Sequence, residues 1–174
     1  MAGLLGPDLL ALKDNVRGKK QIMKTYTQTR DVLEHVRNYH KLLSEFYQHL
    51  EDKAEKQRVK LLLDYLSRHE KHFEECLADY NENASKKVMD TWYQYTPQIE
   101  PSELLEEVVL TPEMSVDDVI RVALRLDDYL VDLYQMMAEN AEIPEVREVF
   151  LNLLDMEEQE KREQAKNALR IKGI

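Results

Sequence analysis

HKLLSEFYQHLEDKAEKQRVKLLLDYLSRHE, residues 40–70, decides the fold, because the chain carries its pattern twice. A shift of 87 positions lays it without a gap on DDYLVDLYQMMAENAEIPEVREVFLNLLDME, residues 127–157. His40 then falls on Asp127, Tyr47 on Tyr134, Ala54-Glu55 on Ala141-Glu142, Val59 on Val146, Leu63 on Phe150, Leu66 on Leu153 and Glu70 on Glu157. Each copy is an apolar stripe at helical spacing, a short break and a second stripe, the pattern of an antiparallel helical hairpin. Two such hairpins predict an all-α four-helix bundle with one long connection.

Outward from the repeat, the chain divides into an N-terminal arm or short helix over 1–28 and a bundle over 29–174. The first hairpin is expected over 29–82, with Thr29 as N-cap, and the second over 116–172. Ser115 with Asp118 imitates a capping box, and Pro144 suits the first turn of the last helix, where its missing N–H costs little. Between them, 83–115 is too long for a simple turn, so it must be a crossover that returns the chain to the same end of the bundle. A short helix is expected there around Ser102 to Val109.

Composition agrees and excludes several function classes. Charged residues are 33% of the chain and hydrophobic ones 43%, with four Gly and five Pro, which suits long amphipathic helices in a single domain. The glycines lie near the termini, so a Gly-rich phosphate cradle, a dinucleotide fingerprint and a nucleophile elbow are all excluded. A net charge of −10 repels a phosphate backbone, so nucleic acid is not an expected partner. No apolar run approaches the roughly 18 residues of a membrane span. The single cysteine, Cys76, rules out an internal disulfide framework, and a cytoplasmic protein is expected.

On these residues the chain resembles the ferritin-like superfamily, in particular its rubrerythrin-type branch, over roughly residues 30–80 and 117–170. In that family each hairpin carries a Glu about two turns before an aromatic, then a Glu-x-x-His on the following helix. Tyr47 and Tyr134 match the aromatic, Ala54-Glu55 and Ala141-Glu142 match the turn, and Glu70 and Glu157 match the second-helix Glu. The resemblance implies an interior di-iron centre with oxidase or peroxidase chemistry. The ligand pattern is degenerate: His40 and Asp127 stand where the first-helix Glu belongs, and Phe73 and Glu160 where the histidines belong. Sliding the last helix by one residue substitutes Glu158 and Lys161, which restores no histidine.

Around a short turn, antiparallel helices that set Tyr47 opposite Leu63 also set His40 opposite Glu70, and the second hairpin sets Asp127 opposite Glu157. His40, Glu70, Asp127 and Glu157 are therefore expected at one level of the interior. Two readings stay open there: a hydrogen-bonded polar layer without metal, and a site for a single Fe, Mn or Zn ion. Nearby SRHEKHFEECL, residues 67–77, offers His69 and His72 at i, i+3, unlike the i, i+4 pair of a zinc helix. They read as a solvated flank, or as a weaker zinc site with His35 or Glu74. Cys76 reads as a small core residue beside Leu77, Met136-Met137 and Tyr129 as core, and the run Glu157 to Glu163 as a solvated face.

The expected function is that of a ferritin-like bundle without a complete di-iron centre, structural or interacting, or binding one divalent ion. The alternative is a divergent metal-dependent oxidoreductase or peroxide-handling protein of rubrerythrin type. Protein contacts, a homodimer among them, would use the acidic helices or the aromatic loop carrying Trp92, Tyr93 and Tyr95.

Overall fold

The computed structural model of the chain describes residues 22–98, 101–106 and 108–173. In chain order it contains β1 (Ile22–Gln28), α1 (Thr29–Lys53), α2 (Gln57–Asn83), α3 (Lys86–Met89), β2 (Trp92–Gln98), α4 (Pro101–Glu106), α5 (Val116–Glu139) and α6 (Pro144–Gly173). The architecture is the expected all-α four-helix bundle, with α1 packed along α2 and α5 along α6.

The repeat is legible in the packing. Val36 and Ala123, Leu43 and Leu130, Tyr47 and Tyr134, Val59 and Val146, and Leu63 and Phe150 are buried at corresponding places in the two hairpins. Such positions recur every three or four residues, so each helix turns one continuous stripe to a shared core. Small residues fill the corners: Ala54 and Ala141 are both buried at the hairpin turns. Arg147 holds the second corner, its guanidinium donating to the Ala141 carbonyl at 2.9 Å and to the Ala138 carbonyl at 3.3 Å.

Helix starts follow local chemistry. Ser115 and Asp118 form the capping box: the Ser115 N–H donates to Asp118 Oδ2 at 2.8 Å, and the Asp118 N–H donates to Ser115 Oγ at 3.2 Å. Pro144 opens α6. Thr29 is the first residue of α1, and its cap is Gln28, whose N–H donates to the Asp31 carboxylate at 3.0 Å. Thr29 is instead tied to the crossover, donating its N–H to the Thr91 carbonyl at 2.9 Å.

The crossover runs the length of the bundle, so it carries the chain to the opposite end and not, as expected, back to the same one. It leaves α2 beside the start of α1, and at the opposite end the Glu55 N–H donates to the Pro112 carbonyl at 3.1 Å. At roughly 1.5 Å per residue a helix the length of α2 spans on the order of 40 Å, which explains a connection of this size. The two hairpins consequently have their turns at opposite ends. Much of the crossover is regular structure. The stretch Trp92–Tyr95, expected as a loop, opens β2, which pairs antiparallel with β1 from Gln28↔Trp92 to Ile22↔Gln98. Ile22–Gln28, within the stretch expected to be an arm or short helix, is thus a strand, and residues 1–21 lie outside the described residues. Tyr93 anchors the ribbon, buried with its hydroxyl donating to the Met137 carbonyl at 3.1 Å. The expected short helix is Pro101–Glu106.

Candidate functional site

Polar residues enter the core where the apolar stripe skips a beat. His40 takes the helical position between Val36 and Leu43, and Glu70 follows Leu63 and Leu66 by the same spacing, so both point inward. They are 1% and 3% exposed, with His40 Nδ1 and Glu70 Oε2 2.7 Å apart. Burial lowers His40 from 6.5 to about 3, against a smaller opposing pull from Glu74. Burial also raises Glu70 to about 8, reinforced by the charge of Glu160 and offset by His69. Both partners are held neutral at pH 7. Between neutral partners the 2.7 Å contact is a single hydrogen bond, its donor set by which imidazole nitrogen carries the proton.

The second hairpin contributes Asp127 from α5 and Glu157 from α6, 0% and 3% exposed. Burial raises the Asp127 carboxyl well above the carboxylate range, and the charge of Glu70 raises it further, while Gln164 and then Lys161 pull it back. Glu157 is raised by burial first, then by Asp127 and Glu70. Three carboxyls that act on one another occupy one region of the interior, where ionising all of them at once is strongly unfavourable. His40 and Glu70, set opposite by hairpin register, are thus in contact, and the charges of Glu70, Asp127 and Glu157 reach one another.

A fifth polar residue belongs to this layer and was not read from the sequence. Gln164 is fully buried on α6, two turns beyond Glu157, and its amide faces Asp127 without closing a hydrogen bond of good geometry. The repeat held its signal, since the 87-position shift aligns it with Leu77, a core residue. His40 Nε2, both Asp127 oxygens, both Gln164 amide atoms and the Tyr47 hydroxyl are buried without hydrogen-bond partners. Native interiors leave few such groups.

Aromatic rings wall the layer. Tyr39 spans the hairpins, its hydroxyl donating to the Leu126 carbonyl at 2.8 Å. Burial, with the neighbouring carboxyls, pushes the phenols of Tyr39, Tyr47 and Tyr134 up, so they stay neutral. Phe73 stacks on His40, ring centroids 5.1 Å apart and planes 13° from parallel.

The other candidates fall elsewhere. His69 faces Glu160, Nδ1 to Oε1 3.0 Å, and this contact raises its pKa. Glu160 also accepts from the Tyr65 hydroxyl at 3.4 Å. His72 lies beside Cys76, Nε2 to Sγ 3.6 Å, His35 Nε2 is 2.7 Å from the Tyr129 hydroxyl, and Glu74 pairs with Lys71. These side chains do not converge. Cys76 is exposed, which corrects its reading as a core residue: one helical position from Leu77 is a rotation of about 100°, enough to leave the apolar stripe. The run from Glu157 to Glu163 is likewise not one solvated face, since Glu157 is buried and the Glu160 side chain is 12% exposed.

A di-iron carboxylate centre takes a Glu from each of two helices and a Glu-x-x-His from each of the other two. This layer supplies one imidazole, three carboxyls and an amide. Both Glu-x-x-His histidine positions are filled by residues engaged otherwise, Phe73 with the His40 ring and Glu160 with His69 and Tyr65. The donor set does not fit two metals. Among the described residues, no group of three or more His, Cys, Asp or Glu side chains is arranged to hold a metal ion. Also among them, no helix is long and apolar enough to cross a membrane.

No family model matches the sequence, and no curated protein matches it. A solved structure does: a Thermotoga maritima protein provisionally described as a ferritin-like diiron-carboxylate protein, with TM-score 0.57 and 14% identity over 82% of this chain and 95% of that one. Together with the two hairpins and the bundle-length crossover, this likeness identifies the fold of the chain as the ferritin-like four-helix bundle.

Proposed function

We propose that this chain is a ferritin-like bundle whose interior layer is a neutral, proton-sharing polar layer in place of a di-iron centre, and that it serves as a structural or interaction protein. The observation that carries this reading is the pairing of His40 with Glu70 at 2.7 Å under the stacked ring of Phe73. The imidazole spends one nitrogen on a carboxyl and one face on a phenyl ring, a setting built for packing. Oxidase or peroxidase chemistry needs redox metals held by several ionised carboxylates and histidines. Here burial favours the protonated carboxyls. Metal analysis of protein purified without chelator tests the reading, and less than one iron or manganese per chain is expected. Two per chain, with peroxide consumption lost in His40→Ala, would establish the oxidoreductase instead.

A second reading, one bound Fe, Mn or Zn ion, is favoured by the buried, unpartnered His40 Nε2 and Asp127 oxygens. The same measurement separates it: one ion per chain that disappears in both His40→Ala and Asp127→Asn. Contact with a second copy or another protein would use the acidic helices or the face around Trp92, which is 61% exposed. The lone exposed thiol of Cys76 suits a reducing cytoplasm.

A further inference from the structure

A cavity of about 550 Å³ opens between the C-terminal half of α2 and the N-terminal half of α6. The two helices run antiparallel and are joined along the rest of their length by polar contacts, Arg58 to the Lys172 carbonyl and Tyr65 and His69 to Glu160. Beyond His69, no hydrogen bond or ion pair among the described residues joins α2 to α6. The gap between them is bounded by α3, through the Lys87–Glu145 ion pair.

The walls are predominantly apolar. Phe73, Leu77, Val149 and Leu153 form the interior, and Tyr80 and Met156 stand at the rim, 37% and 44% exposed. The volume lies within the roughly 300–1,000 Å³ of small-molecule sites, and apolar concavities with a few polar groups at the edge are their usual form. Phe73 is the wall shared with the polar layer, so an occupant would lie against the ring that covers His40.

Charge selects the occupant. No Lys, Arg or His lines the cavity, whereas Glu145 and Glu148 do. Lys87 neutralises Glu145, but Glu148 is exposed and makes no ion pair among the described residues. A fatty acid or other anionic amphiphile would bring its carboxylate against this rim and against a chain of net charge −10. A cationic head would meet the Glu148 carboxylate and the Tyr80 ring, whose face attracts cations.

We propose that this cavity binds an elongated apolar cation, an alkylamine or alkylammonium, with its chain on Phe73, Leu77 and Leu153 and its head at Glu148. This rests on geometry and charge at the cavity and is independent of whether the polar layer holds an ion.

The thiol of Cys76 lies on the cavity lining and is exposed, which makes it the reporter. The full chain is titrated with decyltrimethylammonium, decanol and decanoate below their micelle concentrations, reading heat and the alkylation rate of Cys76. Saturable one-to-one binding of the cation is expected, with slowed alkylation and an affinity at least about tenfold above that of decanoate, as opposite and like charges at one site require. Glu148→Lys should weaken the cation about fivefold, the upper range for an exposed charge pair, and improve decanoate. Val149→Trp fills the cavity and should abolish binding. Asn152→Trp blocks it from an exposed position and should do the same, with an unchanged helical circular-dichroism signal in either variant. Equal binding of cation and anion, or protection that survives Asn152→Trp, overturns the proposal. So does a Cys76 already shielded without ligand, which a second copy or another stretch of this chain in the cleft would cause.

Discussion

His40 and Glu70 face each other at 2.7 Å, and burial moves their proton affinities in opposite directions, His40 down to about 3 and Glu70 up to about 8. The signs give a stability profile. Glu70 ionises near 4.5 when unfolded but near 8 when folded, so its contribution is full below 4.5 and is lost as pH rises through about 8. Asp127 and Glu157, also raised, add to that loss. His40 works oppositely: its contribution is full above 6.5 and is lost as pH falls toward about 3. Urea midpoints should therefore fall between pH 5 and 8 for the wild type. Glu70→Gln keeps a donor to Nδ1 and cannot ionise, so it should flatten that slope. At about 1.4 kcal/mol for each tenfold change in proton affinity, it should be more stable than wild type at pH 8 by on the order of 1 to 3 kcal/mol, and close to wild type at pH 5. A wild-type midpoint that rises between pH 5 and 8 would contradict the neutral layer.

At the scale of elements, the long helices were legible because two signals agreed, a 3.6-residue stripe and its recurrence 87 positions on. Ser115 and Asp118 marked a start by chemistry alone, and the structure closes that box with Asp118 pulled below the usual carboxylate range by its bonds to Ser115. Asp118→Ala should cost about 1 kcal/mol, the usual worth of a cap, read as a lower thermal midpoint with an unchanged folded-state spectrum. The β ribbon was not legible. Each strand needs a partner far away in sequence, and Pro97 argues against a central strand, yet a two-stranded ribbon has two free edges and tolerates it. Of the layer, His40, Glu70, Asp127 and Glu157 could be placed from hairpin register, since facing positions are fixed by the turn. Gln164 lay outside that register, which sets Glu157 and not Gln164 opposite Asp127, and only its alignment with the core residue Leu77 in the repeat marked it as inward-facing. Cys76 went astray for a simpler reason: a neighbour of a core residue on a helix points about 100° away from it.

At the scale of the whole molecule, the layer lies where the two hairpins meet, and Tyr39 of one hairpin bonds to the Leu126 carbonyl of the other across it. The hairpins share one core, so unfolding should be a single cooperative transition. That makes the energetic role of the layer measurable for the entire bundle. Buried polar groups that lack partners, as His40 Nε2, Asp127 and Gln164 do, cost free energy that an apolar core of the same shape would not. If the layer is a structural relict, replacing it wholesale should stabilise the fold. A variant carrying His40→Leu, Glu70→Met, Asp127→Leu, Glu157→Met and Gln164→Leu should gain on the order of 1 to 4 kcal/mol in urea unfolding at pH 7. Its midpoint should also lose its pH dependence between pH 5 and 8, because the groups that cause it are gone. A layer whose real state includes a bound ion behaves differently, since an ion that binds only the folded chain adds stability that the apolar variant forfeits. The comparison should therefore be run on protein purified without chelator and again after chelation. A variant less stable than wild type before chelation but more stable after it would assign the layer to a metal. A gain of equal size in both would leave it as a polar remnant that the bundle carries without needing.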